Sequence, residues 1–123
     1  MTESNPPAEL STEDDDLEIW ASANLFPHTT GLPMVVWIAP NEGFRHDCRV
    51  RVARQHGDRG RWANSASITV RPDQRLIGQL DADDFRRAAE WIRLNQDVIL
   101  EYWDGTLDDI GDVLPRLQRA AAP

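Results

Sequence analysis

Apolar residues change their spacing once along this chain, near residue 81, and this change limits the folds open to it. Before it, residues 34–39 are a continuous apolar run, and residues 65–70 alternate between polar and apolar. The first pattern is typical of a strand buried on both faces, and the second of a half-buried strand. After residue 81, apolar residues recur at the three- and four-residue intervals of an amphipathic helix. We therefore expect a sheet followed by helices.

Residues 46–53 also alternate, and the turn before them predicts a hairpin with the apolar run. The alternation places His46 and Cys48 on the core face of this strand. It places Arg49 and Arg51 on the solvent face. The sequence thus predicts an arginine-lined outer surface on the sheet.

A short apolar segment at 76–80 predicts a fourth strand. Residues 24–33, which carry two prolines and a glycine, are predicted to form a loop. The segment 55–64 is rich in Gly and Arg, and it is also predicted to form a loop. The predicted sheet therefore has three to four antiparallel strands with one face in need of a cover.

The predicted cover is helical. Asp81 is placed to cap a helix, and Asp83 and Asp84 suit the positive end of its dipole. The apolar stripe continues for about twenty residues, with a bend near Asn95 and an end at Gly105.

A second amphipathic segment starts after 106–109, which resembles a capping box, and Pro115 kinks it. The expected fold is α+β, with a small antiparallel sheet followed by one long and one short helix packed on one face.

The net charge of −8 is distributed unevenly. Residues 1–20 hold seven acids and no base, whereas residues 45–75 hold eight arginines against three aspartates. A segment so acidic and so poor in apolar residues buries too little to offset its ordering entropy. We therefore predict a disordered acidic arm at 1–19 and a single α+β domain at 20–123.

Bulk properties predict a soluble, cytoplasmic protein. The first residues lack the basic and apolar regions of a secretory signal, and the apolar run at 34–39 is far too short to span a bilayer. Cys48 is the single cysteine, which fits a reducing compartment. No membrane association is expected.

The basic middle of the chain is the first candidate binding region for a nucleic acid or a protein partner. Arginine holds phosphates and carboxylates in bidentate geometry, and tryptophan can stack on a base. The residues assigned to this patch are Arg45, His46, Arg49, Arg51, Arg54, Arg59, Arg61 and Trp62.

The end of the acidic arm is a second candidate, because acids followed by large apolar residues resemble a segment that folds onto a basic partner. The residues assigned to it are Asp15, Asp16, Leu17, Ile19 and Trp20. Of the other tryptophans, Trp37 and Trp103 are predicted to be core, and either Trp62 or Trp91 is predicted to lie at an interface.

Catalytic chemistry has weaker signals. His46 and Cys48 are suitable zinc ligands or a nucleophile and base, but they lie on the predicted core face. His46 with Arg45 and Glu42 resembles the equipment of a small metal-independent ribonuclease. We assign no catalytic residue, no metal ligand and no cofactor.

Residues 24–33, the strand after them, and Gly43 with Arg45-His46 resemble a group of small uncharacterised bacterial proteins. The resemblance spans mainly residues 24–103 and is strongest at 91–103, where a similar helix closes with Tyr-Trp. That family is a domain of unknown function, often found in operons that look like toxin–antitoxin or mobile-element cassettes. The resemblance implies a bacterial origin and an α+β fold, and it assigns no catalytic residue.

Two functions are compatible with these sequence features. The first is a non-enzymatic protein-interaction or regulatory protein, for example an antitoxin-like partner of another protein. The alternative is an RNA-binding protein or small metal-independent ribonuclease that uses the arginine and histidine patch. The sequence does not predict the oligomeric state.

Overall fold

In a computed structural model that describes residues 18–121, the chain forms a five-stranded antiparallel sheet with helices packed against it. The order in the sheet is β1-β2-β3-β4-β5, so each strand pairs with its neighbour in the sequence. The strands are β1 (Ala23–Leu25), β2 (Met34–Ile38), β3 (Arg49–His56), β4 (Ser65–Thr69) and β5 (Leu76–Ile77).

Helical segments lie before, within and after the sheet. Residues 18–21 form a helical turn, here called the N-terminal turn. The helices are α1 (Pro27–Thr30), α2 (Ala82–Leu94), α3 (Gln96–Asp104) and α4 (Ile110–Val113), which continues into a 3₁₀ turn at Leu114–Arg116.

The strand register sorts the side chains onto two faces. One face, here called the helix face, carries a cross-strand row made of Leu25, Val36, Val52 and Ala66. The buried sides of α2 and α3 complete the same hydrophobic core, which includes Ile92 and Ile99. Burial of this apolar surface is the main source of stability expected for the fold.

The opposite face, here called the loop face, carries a mixed row. Its members pair across all five strands, and they are Asn24, Trp37, Arg51, Ser67 and Ile77. Because successive residues of a strand point to opposite faces, the polar and charged side chains of β3 and β4 gather here.

Local chemistry explains the helix boundaries. The Asp81 carboxylate accepts hydrogen bonds from the backbone N–H groups of Asp83 and Asp84, so it caps α2 as predicted. Gly105 ends α3 with φ of 85°, a left-handed conformation that glycine adopts without strain.

Asn95 breaks the predicted long helix into α2 and α3, and its buried side chain has a structural use. Its Nδ2 donates to the carbonyls of Trp91 and Gln118 at 2.9 and 3.0 Å, and its Oδ1 accepts from the Gln118 N–H at 2.7 Å. The C-terminal segment is thereby tied to the α2–α3 junction.

Another polar contact joins the last residue of β3 to α2. The Nε2 of His56 lies 2.9–3.0 Å from both carboxylate oxygens of Asp84, and the Asp84 side chain is nearly inaccessible. The carboxylate fixes the orientation of an imidazole that is largely exposed.

The α+β prediction with an antiparallel sheet is confirmed, and several details are corrected. The sheet has five strands rather than three or four, because 24–33 contains β1 and α1 in place of a loop. β3 starts three residues later than predicted and continues to His56. His46 therefore lies before the strand.

The helices also differ from the prediction. The expected long helix is two helices, and the expected short one is a single turn followed by a 3₁₀ turn. Trp37 and Trp103 are core residues as predicted, and Trp91 is buried among them. Within residues 18–121, none of the helices has the length and apolar character needed to cross a membrane.

Candidate interaction surface

The loop face is covered by two segments, the N-terminal turn and the loop at 57–64. Gly60 lets this loop approach the sheet closely, because a Cβ at that position would lie 2.4 Å from the Cβ of Ala53. Two residues further, the ring of Trp62 meets Trp37 edge-on, with centroids 5.4 Å apart. The loop is therefore packed onto the sheet through a glycine and an aromatic pair.

Arg51 lies against the same aromatic pair. Its guanidinium carbon is 4.1 Å from the centroid of the Trp62 ring, a cation–π contact, and its Nη1 donates to the Ser65 hydroxyl at 3.1 Å. The indole N–H of Trp62 is buried and has no acceptor among residues 18–121.

Between the two covering segments lies a cavity of about 390 Å³, here called the tryptophan groove. Its lining residues come from the N-terminal turn, the sheet and the loop, and they are Ile19, Trp20, Asn24, Trp37, Gly60 and Trp62. Trp20 is 87% exposed and Ile19 is 43% exposed, although both are large and apolar. The groove therefore combines a floor of buried Trp37 and half-buried Trp62 with an exposed wall that includes Trp20.

A buried ion pair anchors the N-terminal turn beside this groove. Glu18 is 3% exposed, and its Oε1 lies 3.0 Å from Nη2 of Arg49 and 3.5 Å from Nε2 of His46. Burial by itself raises the pKa of Glu18, but the close approach of His46 and Arg49 outweighs burial and holds the pKa below its usual value of 4.5. The carboxylate is therefore charged at neutral pH.

His46 is held in an aromatic stack. Its ring lies parallel to Phe44 at 5.4 Å between centroids, and it also stacks on Trp103 at 6.0 Å. Its Nδ1 is 2.7 Å from the backbone carbonyl oxygen of Asp47. These contacts place His46 as the link between the N-terminal turn and α3.

The structure divides the predicted arginine patch. Arg49 pairs with Glu18, and Arg51 stacks on Trp62, so both are partly buried rather than lining an open surface. Arg54 donates to the carbonyl of Gln79 at 2.7 Å and to the amide oxygen of Asn64 at 3.3 Å. Three arginines of the patch are thus engaged with the protein itself.

The remaining arginines of the patch are Arg45, Arg59 and Arg61. They are exposed, and no residue between 18 and 121 forms a hydrogen bond or ion pair with their side chains. Arg59 and Arg61 belong to the loop at 57–64, next to Trp62. Of the predicted site, the structure therefore brings Arg51, Trp62 and this loop together.

The predicted arm segment contributes two residues to the groove, Ile19 and Trp20. Its other members, Asp15, Asp16 and Leu17, lie outside the described residues. Sequence reasoning did not single out Glu18. A signal was present, since Glu18 is an acid flanked by two large apolar residues.

Cys48 does not behave as a nucleophile in this setting. It is buried in the core, and burial, followed by the charge of Asp47, raises the pKa of its thiol to about 12. The thiol is therefore protonated at neutral pH. Across residues 18–121, no group of three or more His, Cys, Asp or Glu side chains is arranged to hold a metal ion.

Comparison of the chain with family models, with curated proteins and with solved structures finds no match. The resemblance to a family of uncharacterised bacterial proteins accordingly stays a prediction.

Proposed function

We propose that this protein is a non-enzymatic interaction protein whose tryptophan groove binds a segment of another protein. The bound segment carries a large apolar anchor flanked by acidic residues. The observation that carries the proposal is the 87% exposure of Trp20 beside a groove floored by Trp37 and Trp62.

The energetic argument starts from the aromatic surface. A tryptophan side chain buries about 150–250 Å² when it is covered, and this makes tryptophan a frequent anchor at protein interfaces. Trp20 and Ile19 leave such surface in water on a turn that the Glu18–Arg49 pair holds in place. A rigid, exposed anchor loses little conformational entropy when a partner covers it.

The polar requirements of the groove define the partner. The loop at 57–64 carries Arg59 and Arg61 against Asp58, so its net charge is positive. The buried indole N–H of Trp62 lacks an acceptor among the described residues. An acidic side chain of the partner supplies both an opposite charge and a hydrogen-bond acceptor.

The RNA alternative has less support. Phosphate binding needs several cations on one surface, whereas Arg49 is neutralised by Glu18 and Arg54 is bonded within the protein. An antitoxin-like pairing is one form that the proposed interaction takes, in line with the resemblance.

Selection from a random peptide display library on the immobilised protein tests the chemistry of the partner. We expect the selected peptides to be enriched in Trp, Leu or Phe next to Asp and Glu. We expect Trp20→Ala to weaken their binding at least tenfold. Leu114→Ala serves as the matched control, because Leu114 is exposed and apolar but does not line the groove.

Four results would overturn the proposal. If the selected peptides are basic, the partner is not acidic. If they bind Trp20→Ala as tightly as the wild type, the tryptophan groove is not the binding site. Tighter binding of a fluorescent single-stranded RNA than of any peptide would favour the alternative. A wild-type dimer that Trp20→Ala converts to monomer in sedimentation would assign the groove to self-association.

A further inference from the structure

A second cavity, of about 420 Å³, lies beside α2 and is here called the α2 cavity. Its walls are α2, the segment after α1 and the C-terminal segment at 120–121. The lining residues of α2 are Arg86, Arg87, Glu90, Trp91 and Leu94. It shares no lining residue with the tryptophan groove, so an inference about it is independent of the proposed function.

Trp91, a lining residue of the α2 cavity, carries an unused hydrogen-bond donor. The side chain lines the cavity, is 1% exposed, and its indole N–H is buried with no acceptor among residues 18–121. A buried polar group without a hydrogen-bond partner destabilises the fold, and the indole N–H of a buried tryptophan usually has a partner. A ligand acceptor in the cavity would remove this destabilisation.

Arg87 gives the cavity an unused charge. It is partly buried, and no hydrogen bond or ion pair within the described residues involves its guanidinium. Its neighbour Arg86 lies 3.7 Å from Asp83 and 4.0 Å from Glu90, so its charge is shared with those acids. Counting the lining residues, two arginines against Glu90 leave a net positive charge.

The rest of the lining is largely apolar. Leu32 is buried, and Leu94 is 46% exposed at the end of α2. Near Gly31 the C-terminal segment approaches closely, because a Cβ on Gly31 would lie 3.1 Å from the backbone nitrogen of Ala120. The amide of Ala120 also donates to the carbonyl of Thr30 at 2.7 Å, which fixes this wall.

We propose that the α2 cavity binds a small organic carboxylate with an apolar body. Arg87 pairs with the carboxylate, Trp91 donates its indole N–H to an oxygen of the ligand, and Leu32 and Leu94 contact the apolar part. The volume falls within the range of about 300–1,000 Å³ that is common for small-molecule sites. One arginine pairing and one indole donor suit a single acid group rather than a polyphosphate.

The probes are acetate, hexanoate and phenylacetate, with phenylacetamide as the neutral match of phenylacetate. Binding is followed through the indole ¹H–¹⁵N resonance of Trp91, which is assigned from its loss in Trp91→Phe. We expect a saturable shift of that resonance with phenylacetate and hexanoate. We expect acetate to bind at least tenfold more weakly, and phenylacetamide to cause no saturable shift.

Arg87→Gln is expected to weaken phenylacetate binding at least tenfold. Arg93→Gln is the matched control, because Arg93 is an exposed arginine of the same helix that does not line the cavity. Unchanged resonances of the other four tryptophans show that each variant is folded.

The proposal is wrong if the Trp91 resonance does not respond to either apolar carboxylate. It is also wrong if phenylacetamide binds as tightly as phenylacetate, or if Arg87→Gln and Arg93→Gln behave alike. Because the tryptophan groove is not involved, these outcomes leave the proposed protein interaction unaffected.

Discussion

The two faces of the sheet are built on different physical principles. The helix face is an apolar surface whose central residues, such as Val36 and Val52, are completely buried. The loop face carries arginine, serine, asparagine and tryptophan, and it is covered by a turn of four residues and one loop.

This difference separates stability from recognition. Burial of apolar area on the helix face supplies non-directional free energy. On the loop face, the contacts are directional: an ion pair at Glu18, a cation–π contact at Arg51 and an edge-on pair of tryptophans. Directional contacts hold Trp20 in position at the surface, where it stabilises the fold little.

The largest expected effect is on the helix face. Ile92→Ala removes a fully buried side chain of α2, and we expect it to lower the free energy of unfolding by about 2–5 kcal/mol. Ile77→Ala, on the loop face and 47% exposed, is expected to cost less than about 0.5 kcal/mol. Urea denaturation measures both, and similar costs at the two positions would refute the distinction between the faces.

A smaller effect is expected when Glu18 is changed. Glu18→Gln leaves Arg49 without its charged partner, and we expect a loss of about 1–3 kcal/mol at pH 7. Because the pKa of Glu18 in the folded state lies below 4.5, its contribution is complete above pH 4.5 and disappears as the pH falls through that lower pKa.

The measurement for Glu18→Gln is the free energy of unfolding between pH 2 and pH 7. The wild type and the variant should converge at the acidic end, whereas Glu90→Gln, at an exposed position, should follow the wild type throughout. If the free energy of unfolding of Glu18→Gln and of the wild type changed with pH in the same way, the charge of Glu18 would contribute nothing to stability.

The close approach of the loop predicts a still smaller loss. Gly60→Ala places a methyl group 2.4 Å from the Cβ of Ala53, so the loop must lift from the sheet at a cost of about 1 kcal/mol. The Trp37–Trp62 contact should weaken, as seen in near-UV circular dichroism. Adding Ala53→Gly should restore both the free energy of unfolding and the near-UV circular dichroism. If it does not, the loss in Gly60→Ala does not come from the contact with Ala53.

The smallest effect on stability is expected at Trp20. Trp20→Ala should change the free energy of unfolding by less than about 0.5 kcal/mol, because the side chain is 87% exposed. The same substitution should weaken peptide binding at the tryptophan groove at least tenfold. Thermal unfolding, measured together with peptide binding, separates a role in binding from a role in stability. Substantial destabilisation would show that Trp20 stabilises the fold instead.

Local sequence patterns predict most of the elements that form the helix face and the helices packed on it. The strands at 34–38 and 65–69 and the Asp81 cap follow from periodicity and capping chemistry, which act within a few residues. Trp91 was one of two tryptophans offered for an interface, because its position lies off the main apolar stripe, and it is 1% exposed. It is nevertheless part of the hydrophobic core, and that placement depends on packing between elements rather than on local periodicity.

The loop face was harder to predict because its contacts join distant parts of the chain. Glu18 and Arg49 are 31 residues apart. The apolar neighbours of Glu18 indicate that it could be buried, but no local pattern identifies Arg49 as its partner. β1 has only three residues, and its register is set by pairing with β2. The prolines and glycine of 24–33 predicted a loop, and three residues are too few to give a strand pattern of their own. Trp20 and Trp62 were both identified as candidates, but their shared groove required the fold.

The order of the strands has a consequence for synthesis on the ribosome. Each strand pairs with the one made just before it, so each hairpin can form as soon as its second strand emerges. The helical cover, α2 and α3, is made after all five described strands. At about 5–20 residues per second, the apolar face of the nascent sheet waits roughly 1–5 s for its cover, an interval in which a chaperone has a surface to bind.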